Sequence, residues 1–392
     1  MKNVKQITSM VLMALSVGTI FGCEPKPKKL AEAAITTKTA VPVVKPSKNF
    51  VKIALLLDTS NSMDGLINQA KAQLWDIVNK FSYAKCGNEE RPQLQIALYQ
   101  YGNDDLSGRE GYIQQVIGFS SDLDELSEKL FSLTTNGGEE YCGQVIHTSL
   151  NQLEWGKNPD NLKMIFIAGN EPFTQGKLNY KDAVTNAKEK DIIVNTIFCG
   201  SYEQGVATDW KNGATLTGGE YMAIDHNKQV VHIDTPYDDI IIKLNSKLNK
   251  TYISYGALGA SKMEMQAAQD ANAAGLEESV YIKRAVSKSS RLYKNKKWDL
   301  VDAADDEEFD VSKIKEADMP PELKGKSKQE AEAYIASKKS ERIKIQKEIQ
   351  ELNRKREIYI AKQQKNGEEG ELENAMLTAI QKQAAKKNYK WE

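Results

Sequence analysis

The sequence predicts a doubly wound α/β fold with a mostly parallel, six-stranded sheet. Apolar stretches of strand length alternate with amphipathic stretches of helical length from residue 50 to residue 249. Three of the apolar stretches, 52–57, 163–168 and 192–199, are almost free of polar residues, as expected for parallel strands buried on both faces. Alternation of strands with helices through most of this region favours helical crossovers between parallel strands, as in Rossmann-like domains.

The elements of this domain follow one another along residues 50–250. Strands are expected at 51–57, 94–101, 112–119, 163–168, 192–199 and 220–224. Helices are expected at 64–82, 122–132, 142–154, 180–190, 206–216 and 236–249.

Composition narrows the class of protein. The chain has 392 residues, 40% of them hydrophobic, which is enough for a substantial core. Its 53 Lys and Arg residues nearly balance its 54 Asp and Glu residues, so no overall positive field attracts nucleic acid. We expect no nucleic-acid partner.

The first residues have the character of a bacterial export signal. Residues 1–22 join a positive end to an apolar stretch that is too short for a comfortable membrane span. The stretch ends at Cys23 in a pattern that resembles a bacterial lipobox. This resemblance implies that Cys23 is lipidated and anchors the protein to a membrane of the cell envelope. The protein would then be extracytoplasmic, either in the periplasm or on the outer surface. An ordinary secretion signal with an unrelated cysteine is the alternative. Residues 23–49, rich in Pro, Lys, Ala and Thr, predict a flexible tether.

Three small oxygen-bearing side chains follow the first predicted strand. Asp58, Ser60 and Ser62 stand at alternate positions just before the helix that begins at Asp64. Ligands bind such sheets beyond the carboxyl ends of the strands. Carboxylate and hydroxyl oxygens suit a hard divalent cation: Mg²⁺ first, with Mn²⁺ or Ca²⁺ as alternatives.

This Asp-x-Ser-x-Ser sequence after a buried strand resembles the metal-ion-dependent adhesion site (MIDAS) of the von Willebrand factor type A (VWA) domain. The resemblance extends over residues 51–249 and includes the sequence GGEYMAID at 218–225. It implies a protein-binding module whose bound cation completes its coordination shell with an acidic side chain of a partner protein.

The other two metal loops of the family are altered here. The resemblance places Glu139 where the family has a loop threonine, so Glu139 or Glu140 is a candidate ligand, with Thr134 and Thr135 as weaker candidates. Asn170 falls where the family has an aspartate. The alternative for the glutamates is that they only supply negative charge at a helix N-terminus.

A directly bound glutamate would neutralise part of the charge of the cation. The cation could then be partner-facing or purely structural, or the altered site could hold none. A competing function is therefore a structural or assembly protein in which C-terminal helices make the functional contacts and the metal site is degenerate or structural.

Three cysteines remain after Cys23. Cys142 and Cys199 are both expected at the ligand-binding end of the sheet, so a Cys142–Cys199 disulfide is possible in an oxidising compartment, whereas Cys86 follows the first helix. The alternative is three buried or inert thiols.

The chain beyond residue 250 changes character. Residues 251–311 predict a helical extension, with helices near 258–273 and 276–293, that ends in an acidic stretch at 302–310 interpreted as a solvated linker. Residues 312–392 predict a long charged helix at 327–365 and a second helix at 372–387. We expect these two helices to pack as an intramolecular hairpin, with a coiled-coil oligomer as the alternative.

Catalysis has little support in the sequence. The three histidines, His147, His226 and His232, lack metal-ligand spacing, and neither a nucleophile elbow nor a phosphate-binding loop is present. We expect a binding protein rather than an enzyme.

Overall fold

The computed structural model describes residues 49–86, 90–225, 227, 232–363 and 371–391. The predicted export signal at residues 1–22, Cys23, nearly all of the tether and His226 lie outside the described residues. Within the described ranges, no helix has both the length and the apolar content that a membrane span requires.

The described chain forms eight strands and twelve α-helices. The strands are β1 Phe50–Asp58, β2 Ala84–Lys85, β3 Gln93–Tyr101, β4 Ile113–Ser120, β5 Leu162–Gly169, β6 Ile193–Cys199, β7 Tyr221–Ile224 and β8 Lys390–Trp391. The helices are α1 Asp64–Ser82, α2 Leu123–Phe131, α3 Cys142–Gln152, α4 Tyr180–Glu189, α5 Tyr202–Ala207, α6 Trp210–Thr215, α7 Asp238–Asn249, α8 Gly259–Leu276, α9 Glu278–Lys288, α10 Leu300–Ala303, α11 Lys328–Gln363 and α12 Glu371–Lys386.

Six strands form one sheet in the order β4-β3-β1-β5-β6-β7. Every pair is parallel except β3 and β4, which are antiparallel. The predicted fold class is therefore confirmed: a mostly parallel six-stranded sheet with helices on both faces, followed by a helical C-terminal region. β1 lies near the centre of the sheet, so the residues that follow it emerge at the middle of the carboxyl edge.

Alternate residues of each central strand enter two separate cores. One core contains Ile53, Leu55 and Leu57 of β1, and it is covered by α1, α2 and helices from the C-terminal half of the chain. The other core contains Ala54 and Leu56, and it is covered by α3, α4 and α6. Burial on both faces explains why these strands are nearly continuous apolar runs.

One predicted helix differs from its sequence-based assignment. The helix expected at 206–216 is two short helices, α5 and α6, separated at Asp209, whose backbone has a φ of 69°. A left-handed residue cannot continue a right-handed helix, so the chain bends there. The side-chain pattern gave no sign of this break.

The last helix completes the core of the α/β domain. Leu372, Met376 and Ile380 of α12 are buried in the same core as Leu55 and Phe166 of the sheet. The buried side-chain amides of Gln383 in α12 and Asn195 in β6 bond each other in both directions. The chain then ends in β8, which pairs with β2 directly after α1. The residues from 49 onward therefore form one compact body.

The long helix α11 docks elsewhere, so the two C-terminal helices do not form the predicted hairpin with each other. α11 packs mainly against α7 and α9, whereas α12 packs against α1 and β7. Two buried arginines fix α11: Arg342 bonds Asp299 at 2.6 Å, and Arg356 bonds Asp238 of α7 at 2.9 Å. Arg342 and Arg356 are thus docking contacts of α11.

The acidic stretch at 302–310, which the sequence suggested to be a solvated linker, is exposed at 305–308 but also contacts α11. Asp302 is buried and lies 3.2 Å from Arg342, Asp305 pairs with Lys339 at 2.6 Å, and Asp310 pairs with Lys328 at 3.0 Å. Its carboxylates receive the basic side chains of α11.

A second buried ionic cluster joins the α/β domain to α8 and α9. Arg284 of α9 is fully buried and pairs with Asp124 of α2 at 2.8 Å and with Asp270 of α8 at 2.7 Å. Lys288, also fully buried, pairs with Asp270 at 2.8 Å. The guanidinium carbon of Arg284 lies 4.9 Å from the ring centre of Trp75 in α1. Removing one member would leave a buried charge without its counter-ion.

We predict that Ile380→Ala destabilises the whole chain rather than α12 alone. Ile380 has no exposed surface, and truncating a fully buried isoleucine costs about 2–5 kcal/mol. Urea unfolding of residues 24–392 should show one transition at lower urea for the variant, followed by both circular dichroism and tryptophan fluorescence. Gln381→Ala, at the exposed neighbouring position, is the matched control. An unchanged main transition in Ile380→Ala would contradict the shared core.

Asp270→Asn should destabilise the protein at pH 7 and flatten its response to acid. Burial alone would raise the pKa of Asp270, but Lys288 and Arg284 outweigh burial and hold this pKa well below its usual range. A carboxyl group whose pKa is lower in the folded state stabilises at neutral pH, and this contribution is lost as the pH falls below about 4. We expect a loss of about 3 kcal/mol at pH 7 and a weaker decline in unfolding free energy between pH 5 and pH 2. Equal acid sensitivity in wild type and variant would count against this role.

Candidate metal site

The loop after β1 places two of the predicted ligands in a buried position. The side chains of Asp58 and Ser60 are almost completely buried. The backbone N–H of Ser60 donates to Asp58 Oδ1 at 2.8 Å, which turns the chain sharply after the strand. Both side chains therefore lie under the middle of the carboxyl edge of the sheet.

The loop before α3 contributes Glu140 and not Glu139. Glu140 is buried, and a side-chain carbon at Gly102 would lie 2.6 Å from its Cγ and 3.0 Å from Asp58 Oδ1, so the two carboxyl side chains border the same small space. Glu139 is exposed, and its carboxylate accepts a hydrogen bond from Gln175 at 3.1 Å. Of the two glutamates that the sequence left open, Glu140 is the one at the site.

Asn170 follows β5, the neighbour of β1 in the sheet, and its backbone lies within hydrogen-bonding reach of Asp58. The Trp210 indole N–H donates to the backbone carbonyl of Glu171 at 2.8 Å and fixes this loop. Asn170 therefore brings a neutral amide oxygen to the position where a charged ligand was expected from the family resemblance.

Four buried oxygen atoms in this region have no hydrogen-bond partner. They are Asp58 Oδ2, Ser60 Oγ, Glu140 Oε2 and Asn170 Oδ1. Buried polar atoms are nearly always paired, so four unpaired oxygens on three adjacent loops need a physical explanation. A hard cation satisfies such a set, because carboxylate, hydroxyl and amide oxygens are its preferred ligands. The side chains at this edge therefore fit a divalent metal ion.

The electrostatics of the site point the same way. Burial raises the pKa of Asp58 to about 6, although the hydrogen bond from the Ser60 backbone opposes this change. Burial, and after it the neighbouring charge of Asp58, raises the pKa of Glu140 to about 9. The free energy needed to ionise two carboxyl groups in one buried space is high, so a proton or a cation must neutralise their charge.

Three other candidates lie at the edge of the site. Ser62 is exposed on the turn before α1. Thr134 is exposed as well, and the hydroxyl of Thr135 donates to Asp64 at 2.6 Å. Of the three residues in the Asp-x-Ser-x-Ser sequence, Asp58 and Ser60 are thus buried and Ser62 is exposed.

Sequence reasoning missed the loop after β3. Gly102 has a φ of 76°, which favours glycine, and any side chain there would collide with Glu140. Asn103 is buried, and its side-chain amide donates to the backbone carbonyl of Thr134 at 3.0 Å, tying this loop to the one that carries Glu140. Gly102, which directly follows the predicted strand at 94–101, was the sequence feature that could have indicated this loop.

The predicted disulfide is not formed. Cys86, Cys142 and Cys199 are free and buried thiols. Cys142 lies in the core shared with α3 and α4, whereas Cys199 lies in the core on the opposite face of the sheet. The sheet separates the two thiols, so sharing one end of the sheet did not make them neighbours.

The set of ligand types limits the kind of metal. The described part of the chain has no cluster of three or more His, Cys, Asp and Glu side chains that could hold a metal. A metal ion at this edge would be held by the carboxylates of Asp58 and Glu140 together with the hydroxyl of Ser60 and the amide of Asn170. An all-oxygen set favours Mg²⁺, Mn²⁺ or Ca²⁺ over metals that prefer nitrogen or sulfur ligands.

Comparison with known families agrees with this geometry. Residues 52–212 match the family model of the von Willebrand factor type A domain. This segment is a VWA domain. The match contains Asp58, Ser60, Glu140 and Asn170, so the whole candidate site lies inside the VWA domain.

Several solved structures are similar to part of this chain at low sequence identity. Proximal thread matrix protein 1 from the mussel byssus, described with a zinc-occupied MIDAS motif, is 14% identical, with a TM-score of 0.35 over 46% of this chain and 43% of that chain. Protein BatB from Bacteroides thetaiotaomicron is 15% identical, with a TM-score of 0.34 over 45% of this chain and 90% of that chain. The pilus adhesin SpaC from Lactobacillus rhamnosus GG is 15% identical, with a TM-score of 0.33 over 46% of this chain and 28% of that chain. This chain thus spans less than half of the length of the mussel protein. A sequence search of curated proteins gave no match.

We predict that the metal-free protein becomes less stable as the pH rises from 5 to 9. The pKa of Asp58 is raised to about 6 and that of Glu140 to about 9. The folded state therefore holds protons that the unfolded state has released in this window, and its stability falls as they are lost. Urea unfolding in the presence of a chelator should show this decline, and Glu140→Gln should reduce it. Glu139→Gln is the control for the exposed neighbour. Identical slopes in wild type and Glu140→Gln would contradict the assignment.

Proposed function

We propose that this protein is a membrane-anchored, extracytoplasmic protein-binding module, acting in adhesion or scaffolding. In this proposal a divalent cation at the MIDAS position, Mg²⁺ in the first instance, engages an acidic side chain of a partner protein. Asp58, Ser60, Glu140 and Asn170 hold the cation, with Ser62 at the outer edge of the site. The N-terminal segment and Cys23 supply the anchor.

The observation that carries the proposal is the set of four buried, unpaired oxygens. Leaving a buried acceptor without a partner costs about 1–3 kcal/mol, and more for a charged group. The two carboxyl groups lie buried together at the carboxyl edge of the sheet, where α/β domains bind ligands.

The cation, when bound, supplies a positive centre that accepts an oxygen ligand from outside the domain. The residues of the chain set how strongly it does so. When both are ionised, Asp58 and Glu140 carry two negative charges, which balance the two positive charges of a divalent ion. Ser60 and Asn170 are neutral. This balance favours retention of the metal, and it leaves the attraction for a partner carboxylate weaker than at a site built from hydroxyls alone.

The competing function is a structural or assembly protein that acts through its C-terminal helices. The structure favours this less, because buried side chains of α11 and α12 are already used inside the molecule. Arg342 and Arg356 dock α11, and Ile380 lies in the core beside the sheet. Truncation after residue 256 would remove part of that core, so point variants at the metal site separate the two functions better than deletion does.

We also propose that the protein binds rather than catalyses. The nearest described histidine in sequence, His147, lies on α3, with its ring nitrogen 2.9 Å from the amide of Asn151. Tyr101 lies beneath the site, and its hydroxyl donates to the backbone carbonyl of Ala168 at 2.9 Å. Burial raises the pKa of Tyr101 well above its usual value, so its hydroxyl stays protonated and is not available as a base near pH 7.

Calorimetric titration of Mg²⁺ and Ca²⁺ into residues 24–392 tests the metal site. We expect saturable binding by wild type, and a loss of about tenfold or more in affinity for Asp58→Asn and Glu140→Gln, because each removes a charged ligand. Glu139→Gln provides a matched control and should stay within about twofold of wild type. Binding that depends on Glu139 and not on Glu140, or no binding by a folded wild type, would refute the proposed site.

The anchor is tested by expressing the full chain in a bacterium supplied with labelled palmitate. Label should appear in the membrane-associated protein and disappear in Cys23→Ser, with release of that variant into the soluble fraction. Labelling that persists in Cys23→Ser would show that Cys23 is not the lipidated residue.

A further inference from the structure

Exposed carboxylates surround the candidate metal site. They lie on the four loops that border it, at 59–64, 102–112, 132–141 and 170–179, and we call them the acidic rim: Asp64, Asp104, Asp105, Glu110, Glu139 and Glu171. All four loops are fully described, and their only basic residues are Arg109 and Lys177. The surface around the site is therefore strongly negative, although the chain as a whole is nearly neutral.

Hydrogen bonds hold much of the rim in place. Asp64 accepts from Thr135 at 2.6 Å, and Asp105 accepts from the side chain of Asn136 at 3.0 Å. The backbone N–H of Asp104 donates to the carbonyl of Gly137 at 2.5 Å. The loops after β3 and before α3 are thus joined, and their carboxylates are fixed on one surface.

The acidic rim and the buried pair of Asp58 and Glu140 differ in which positive charges can neutralise them. A divalent cation between Asp58 and Glu140 is balanced by those two carboxylates, so it does not offset the charge of the rim. Asp58, Ser60 and Glu140 each have a buried oxygen without a hydrogen-bond partner. An outside ligand that reaches a metal at these oxygens must pass loops that carry six acidic and two basic side chains.

We propose that the partner is a net-basic protein segment, in which Lys or Arg side chains flank the single acidic residue that reaches the metal. This inference rests on the proposed function and specifies its partner. An isolated acidic segment is repelled by the rim, whereas flanking cations pair with it and bring the carboxylate to the metal. Nucleic acid is repelled for the same reason.

The first test measures how the negative charge of the rim affects Mg²⁺ affinity in the absence of a partner. Asp104→Asn combined with Glu171→Gln removes two exposed charges outside the buried ligand set. We expect Mg²⁺ affinity to fall about twofold for each charge removed at 20 mM salt, and the difference to shrink at 500 mM salt because exposed charges are screened. Glu264→Gln combined with Glu348→Gln, exposed on α8 and α11, is the control and should leave affinity unchanged.

The second test identifies the chemistry of the partner. A library of random twelve-residue peptides displayed on phage is passed over immobilised residues 24–392 with Mg²⁺, and bound phage are released with a chelator. The released peptides should contain one Asp or Glu among two or more Lys or Arg. A synthetic peptide from this set should bind the rim variant about fivefold more weakly at low salt and bind the control variant normally.

The outcomes separate the two proposals. If wild type binds Mg²⁺ but releases peptides without basic excess, or retains none, the basic partner is wrong and the metal site stands. A rim variant that binds the selected peptide as tightly as wild type also overturns the basic partner. If calorimetry shows no metal binding by the folded protein, the proposed function fails and this inference fails with it.

Discussion

The burial of two carboxyl groups in one small space is the constraint on which this site depends. Asp58 is fixed by the end of β1, and Glu140 by the loop that precedes α3. Gly102 leaves room for both, because any side chain there would occupy the position of Glu140. Such a pair is stable only when a proton or a cation offsets its charge, so the state of the site is coupled to pH and to metal concentration.

The rest of the molecule supports this edge of the sheet as one body. α12 covers the core behind β1 and β5, the two strands that end at the site. The buried pairs of Arg284, Arg342 and Arg356 attach the C-terminal helices to the domain and to each other. Buried ion pairs add little net stability compared with apolar packing, but they penalise any other arrangement of the helices, because separation would leave a charge unpaired. The VWA segment at 52–212 is therefore only part of the folded unit.

The sequence predicted the sheet and most helix boundaries because apolar periodicity is a local signal. It predicted Asp58 and Ser60 because both follow a buried strand at the edge where ligands bind. It could not choose between Glu139 and Glu140, since adjacent residues in a loop differ only in which way the backbone turns. It also missed the place of α12 in the core, because that contact joins residues almost two hundred positions apart, as Gln383 and Asn195 show. The opposite orientations of Cys142 and Cys199 likewise depend on strand register and helix packing rather than on composition.

Anomalous diffraction from crystals soaked in Mn²⁺ locates a bound metal without reference to affinity or activity. We expect one strong anomalous peak bounded by oxygens of Asp58, Ser60, Glu140 and Asn170, and none in Glu140→Gln crystals soaked at the same concentration. A peak on the acidic rim alone, or an Asp58–Glu140 pair that stays metal-free at saturating Mn²⁺ above pH 8, would contradict the proposed site.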